Sequence, residues 1–336
     1  MDAERLGVHR SREPRGALLH IARVLDATAP INPYEAELDV EMLAIDATSF
    51  ADIRRRCDVD PDAMAEAISA IVAERGKLQN PRTGSGGVAL GRVRAVGARY
   101  HMPDLVPGEL VVPIASLIAV PLALDAVGPV EPARPLVPVR GRAVVTGGMV
   151  CGRVPDDMAA PVALTVYDVY PAASYVRELA GAGDHVLALG AGHAGLLAVA
   201  AARAAVGPFG AVTVVDLADA ALERATRVDP AVTAIRADVT DPLAVAGAVP
   251  APADLTLMCT SVEGGEGAAL LATAERGTIV FFSTATRFAA AALGADVVGS
   301  RARLLIPTGL TEDVGAYAFE LLRAIPELHR AFGGRP

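Results

Sequence analysis

The sequence predicts an α/β protein in two parts: a strand-rich first half and a doubly wound parallel sheet in the second. Three observations carry this. The second half alternates apolar runs of strand length with helical stretches, as in "DHVLALG", "GLLAVAAARAAVG", "AVTVVD" and "ADAALERATRV". Those strands are apolar nearly throughout, as strands covered on both faces are. The first half instead shows short strands interrupted by glycine and proline. The expected division is a substrate domain over residues 1–160 and a dinucleotide-binding domain over 161–336.

The elements follow in order. Ala36–Phe50 opens with the alternation of a half-buried strand. Asp60–Gly76 has apolar residues at helical spacing, with Asp60 as N-cap, Pro61 next and Gly76 at the end. "GGVALGRVRAVG" and "PGELVVPIASLIAVPLAL" read as strands, and proline-rich Gly128–Gly141 as a surface connection. "ALTVYDVYPAASYVREL" reads as one helix. Later, "AVTAIRAD", "ADLTLMCT", "TIVFFST" and "RLLIPTG" read as strands, and "EGAALLATAERG" and "EDVGAYAFELLRAI" as helices.

Composition narrows the function. The 336 residues are 52% hydrophobic, enough for a sizeable core. A net charge of −9 with no basic stripe and no tryptophan argues against a nucleic-acid partner. Every apolar run is broken before it could span a bilayer, and "MDAERLGVHRSREPRG" lacks the apolar centre of a signal peptide. Cys57, Cys151 and Cys259 are odd in number and far apart, which fits a reducing cytoplasm.

Gly190, Gly192 and Gly195 stand in G-x-G-x-x-G spacing between a strand and a helix. That arrangement places a pyrophosphate at a helix N-terminus, against Gly192, His193 and Ala194. Asp216 ends the next strand, slightly beyond the usual separation of about 20 residues, and would accept hydrogen bonds from the adenosine ribose. Its charge repels a 2′-phosphate, so NAD is favoured; Arg224, further along, keeps NADP open. Thr260, Ser283 and Thr284 follow later strands, whose carboxyl ends face the ligand crevice. Cys259 reads as a buried strand residue. The six histidines are scattered, without a C-x-x-C or H-E pair, so no metal site is expected.

One segment stands outside this pattern: "RGKLQNPRTGSGG", Arg75–Gly87. It is no phosphate loop, because its Gly-Lys pair is followed by Leu and its glycines lead into a strand. It is available for substrate.

"ALGRVRAVG" and "PGELV" resemble the medium-chain dehydrogenase/reductase superfamily, whose zinc segment is here replaced by "RTGSGGVALG". "HRSREPRG", "AIDATSF", "ERGKLQNPRTGSGG", "VPDDM", "FFSTATRFAAAALGADVVG" and "AFELLR" resemble the L-erythro-3,5-diaminohexanoate dehydrogenase family within it. The resemblance implies a GroES-like catalytic domain before a Rossmann domain. It also implies NAD-linked oxidative deamination of a diamino acid to 5-amino-3-oxohexanoate. That chemistry requires a proton acceptor for an ammonium, a carboxylate anchor and a counter-charge for a second ammonium. Asp46 and Asp168 are the candidates for the catalytic proton transfer, with Lys77 as an alternative base or as the carboxylate anchor. Ser49, Gln79, Asn80, Thr83 and Ser85 are the candidates for binding the small amino-acid substrate. A zinc-less quinone or enoyl reductase is the alternative enzyme, and a nucleotide-binding protein without chemistry a third reading. The chain stops short of the superfamily's usual C-terminal strands, which suggests a homodimer.

Overall fold

The computed structural model describes residues 3–283 and 285–333. The chain divides into two compact units, Met1–Asp168 and Val169–Pro336.

In the first unit, β1 (Ser11–Glu13) pairs with β2 (Val24–Leu25). A separate antiparallel sheet holds β3 (Ala36–Ile45), β4 (Gly87–Val96), β5 (Leu110–Pro113), β6 (Leu122–Val127), β7 (Leu136–Val145) and β8 (Cys151–Arg153). Its order is β6-β7-β3-β4-β5-β8. Central β3 buries Leu38 and Val40 and exposes Asp39 and Glu41, as its alternation predicts.

Two helices follow β3: α1 (Ala47–Arg56) and α2 (Pro61–Arg75). The side chain of Asp60 accepts from the Ala63 amide and Pro61 starts α2. Gly76 ends α2 at φ 61°, a left-handed conformation that costs glycine little. Met64, Ile68 and Val72 form its buried stripe, packed in one core with Leu43, Ile45 and Ile53. Full burial of each such side chain contributes about 1.5–3 kcal/mol. The helix α3 (Ala160–Val169) runs to the junction of the units.

The second unit carries six parallel strands: β9 (His185–Leu189), β10 (Ala211–Asp216), β11 (Thr233–Arg236), β12 (Ala253–Met258), β13 (Thr273–Phe281) and β14 (Arg303–Leu305). Their order is β11-β10-β9-β12-β13-β14. The winding reverses between β9 and β12, which is where doubly wound sheets bind ligands. The accompanying helices are α4 (Pro171–Leu179), α5 (His193–Val206), α6 (Asp219–Val228), α7 (Pro242–Ala248), α8 (Glu266–Ala272), α9 (Phe288–Val298), α10 (Ala316–Ala324) and α11 (Pro326–Ala331).

Three sequence expectations change. Gly128–Gly141, read as a surface connection, runs into β7, where Val137 is buried in the sheet. The single helix over "ALTVYDVYPAASYVREL" is two, α3 and α4, because Pro171 has no amide to donate and starts a new helix. The helix over "EGAALLATAERG" stops at Ala272. Thr273 already belongs to β13, pairing with Ala253, while its hydroxyl donates to Ala269 O at 2.6 Å.

Candidate functional site

The glycine motif lies in the second unit, where β9 and β12 end. Gly190 takes φ 105°, and a Cβ there would lie 2.9 Å from Thr260 N. A Cβ on Gly195 would lie 1.8 Å from Gly190 O, so α5 packs directly on the turn. Gly192 differs: a Cβ there meets nothing within 4 Å. Close packing therefore explains Gly190 and Gly195, while Gly192 faces open space in front of the α5 N-terminus. That is the cradle a pyrophosphate needs, and the residues fit a dinucleotide.

Asp216 lies at the end of β10. Its Oδ2 accepts from Ala191 N at 2.7 Å and its Oδ1 from Ala218 N at 2.9 Å. It thus braces the glycine turn and keeps further lone pairs for ribose hydroxyls. His193 Nε2 lies 3.2 Å from Ala331 O, so that nitrogen must carry the proton and donate. Its ring packs tilted on Phe332, 4.6 Å between centroids, and burial lowers its pKa. Its main-chain amide opens the first turn of α5. Ala194 is buried in the first turn of α5.

Thr260 Oγ1 accepts from Val262 N at 3.3 Å, and Ser283 Oγ from Ala285 N at 3.1 Å. Both hydroxyl hydrogens remain to donate. Thr284 lies outside the described residues. Sequence reasoning missed Thr286, whose buried hydroxyl has no hydrogen-bond partner among the described residues. The hydroxyl-rich run "STAT" was its only signal. Burial pushes the Cys259 thiol up to about 12, so it is no nucleophile at neutral pH.

A polar cluster lies in the first unit, where β3 passes into α1 and the Lys77–Gly86 loop enters β4. Asp46 is the N-cap of α1, with Oδ1 accepting from Ser49 N at 2.9 Å and from Ser85 Oγ at 3.0 Å. Three hydroxyls form a triangle beside it: Ser49–Thr83 at 2.6 Å, Ser49–Ser85 at 2.8 Å and Thr83–Ser85 at 3.1 Å. Asp46 Oδ2 is buried and has no hydrogen-bond partner among the described residues. Leaving such an oxygen unpaired costs about 1–3 kcal/mol, so the arrangement calls for a donor.

Asp168, in the last turn of α3, has no hydrogen-bond or ion-pair partner among the described residues. It keeps much of its surface accessible, yet protein surrounds it closely in a recessed position. This crowding, helped by the charge of Asp46, pushes its pKa up to about 7.

Of the other predicted residues, Lys77 requires a correction. It is fully buried, and its ammonium donates to Leu19 O at 3.1 Å and Ile118 O at 2.8 Å. It pins the loop to neighbouring main chain and does not join the Asp46 cluster. Burial, with the Arg75 charge, brings its pKa down to about 8. Gln79 donates to Gly84 O at 3.2 Å, bracing the loop from within. Asn80 is buried and donates to Asp52 Oδ2 at 3.0 Å. Asp52, a buried carboxylate on α1, was not singled out by sequence reasoning; "ADIRRR" suggests only a charged helix surface.

Among the described residues, no group of three or more His, Cys, Asp or Glu side chains could hold a metal ion. No helix is long and apolar enough to cross a membrane.

Residues 9–155 match the model of the L-erythro-3,5-diaminohexanoate dehydrogenase N-terminal domain. The chain is 34% identical over 333 residues to L-erythro-3,5-diaminohexanoate dehydrogenase of Fusobacterium nucleatum, covering 97% of this chain and 96% of that protein. It is 32% identical to the enzyme of the same name from Acetoanaerobium sticklandii, covering 94% of each. Among solved structures, acetophenone reductase from Geotrichum candidum in complex with NAD aligns with a TM-score of 0.55 at 14% identity, covering 93% of this chain and 84% of that one. An Escherichia coli alcohol dehydrogenase complexed with NADH aligns with a TM-score of 0.52 at 18% identity, covering 88% and 83%. The structures establish the dehydrogenase fold. With near full-length identity above 30%, the chain belongs to the L-erythro-3,5-diaminohexanoate dehydrogenase family.

Proposed function

We propose that this chain oxidatively deaminates L-erythro-3,5-diaminohexanoate, or a closely related 3-amino acid, with NAD. The observation that carries the reading is the partnerless Asp46 Oδ2 beside the Ser49–Thr83–Ser85 triangle. A substrate ammonium supplies N–H donors, which that oxygen lacks. A quinone or an enoyl group supplies none.

The roles divide by environment. Asp46 is held by Ser49 N and Ser85 Oγ and serves as a fixed anion facing an ammonium. Asp168, unpaired and with its pKa raised to about 7, takes the proton from the reacting ammonium. The neutral amine then loses hydride from C3. Water adds to the imine so formed, and ammonia departs to leave 5-amino-3-oxohexanoate. Bound NAD supplies the hydride acceptor. Gly190, Gly192, Ala194 and Gly195 shape its phosphate cradle, and Asp216 favours ribose hydroxyls over a 2′-phosphate. Thr260 and Ser283 have hydroxyls free to donate toward the nicotinamide half.

We read the enzyme as zinc-independent and cytoplasmic, the latter supported by three free cysteines. We also read it as a homodimer: α9 exposes Leu293, Val297 and Val298, and among the described residues the edge strand β14 is paired on one side only. The test is run in reverse. NADH oxidation with 5-amino-3-oxohexanoate should require ammonia and survive a chelator. Oxidation that proceeds equally without ammonia would favour a carbonyl or enoyl reductase instead.

A further inference from the structure

Asp52 lies one helical turn after Ser49, on the same side of α1. It is 4% exposed, and four donors converge on its carboxylate. Arg55 and Arg82 reach Oδ1 at 2.9 and 3.1 Å; Arg56 and Asn80 reach Oδ2, both at 3.0 Å. The three guanidiniums are partly solvated, whereas Asn80 is 1% exposed and forms the inner link.

From Asn80 the link continues into the loop. Its amide donates to Ser85 O at 2.9 Å, its carbonyl accepts from Gly84 N at 2.8 Å, and its Oδ1 accepts from Arg82 N at 3.0 Å. Arg82, Gly84 and Ser85 bracket Thr83. The loop is therefore joined to α1 at two levels: through Asp52–Asn80, and one turn earlier through the hydroxyls of Ser49, Thr83 and Ser85.

We propose that Asp52 and Asn80 form a positioning clamp, which sets the Thr83 and Ser85 hydroxyls against Ser49 and Asp46. Asn80 is then a positioning residue and does not touch substrate. This rests on the amine-oxidation reading above. The clamp fixes where the acceptors for the reacting ammonium sit. Misplacing a reacting group by about 1 Å can lower the rate by roughly 100-fold.

Asn80→Asp sets a carboxylate against that of Asp52 and breaks the link. Adding Asp52→Asn transposes donor and acceptor and remakes it. In the wild type, turnover of 3,5-diaminohexanoate with NAD tests the functional reading; its absence would defeat that reading and leave the clamp to be judged separately by loop protection in hydrogen exchange. Given turnover, Asn80→Asp should lower kcat by about 10- to 100-fold, with KM and NADH affinity little changed. The double variant should recover most of kcat and restore protection of residues 79–86. If Asn80→Asp does not fold, a folded and active double variant still supports the clamp. Wild-type kcat in Asn80→Asp would overturn it. So would a folded double variant as slow as the single one, since Asn80 would then act on substrate directly.

Discussion

At the scale of single residues, Asp46 and Asp168 differ in what surrounds them, and this separates their proposed roles. Asp46 is locked by a helix amide and a serine hydroxyl, while Asp168 is unpaired and crowding pushes its pKa up to about 7. A base must be deprotonated to act, so kcat/KM should rise with pH and level off above about 7. Asp168→Asn should remove that inflection and lower kcat by roughly 10²–10⁴-fold while NADH still binds; a pH profile of the variant that keeps the inflection would assign it to another group. The same shift bears on stability. The folded pKa of Asp168 lies above the unfolded value, so its contribution favours folding in acid and is lost as pH rises through about 7. Gly192 gives a second residue-scale expectation. A Cβ there meets no protein atom within 4 Å and its φ of −72° suits any residue, so Gly192→Val should fold normally. It should nonetheless lose NADH binding in a fluorescence titration, because the valine fills the pyrophosphate cradle.

At the scale of elements, the Lys77–Gly86 loop shows what could and could not be read from the sequence. Its unusual composition made it a candidate for substrate binding, and Thr83 and Ser85 meet Ser49 and Asp46. The partners of each side chain were not legible, because they depend on contacts 28 to 58 residues away in sequence, such as Asn80 to Asp52 and Lys77 to Leu19. A lone lysine in a polar loop looks solvated until the main chain of Leu19 and Ile118 is seen to close over it. The structural role of Lys77 gives a prediction. Lys77→Met should leave KM for the amino acid unchanged and destabilise the protein by about 1–3 kcal/mol in denaturant titration, since two buried carbonyls lose their donor. By contrast, α2 was legible to its caps, because Asp60, Pro61 and Gly76 act through their immediate neighbours. The α3–α4 break was signalled by Pro171, but a continuous apolar pattern on either side masked it.

At the scale of the whole chain, the alternating strands and helices of the second unit specified a doubly wound sheet, and the order β11-β10-β9-β12-β13-β14 realises it. The pattern could not show that α9 would leave Leu293 and Val297 in solvent. If this face is the interface between two copies, Leu293→Asp with Val297→Asp should shift the protein from dimer to monomer in light scattering. A wild-type protein that is monomeric at high concentration would remove that role. The central claim, that this chain couples NAD reduction to the oxidative deamination of an amine, is tested most directly by stoichiometry. Purified protein is incubated with NAD and L-erythro-3,5-diaminohexanoate, and NADH and ammonia are measured together. The account predicts that one ammonia is released for each NADH formed, with 5-amino-3-oxohexanoate as the product. NADH formed without ammonia, or no NADH from any 3-amino acid by a protein that binds NADH, would contradict it.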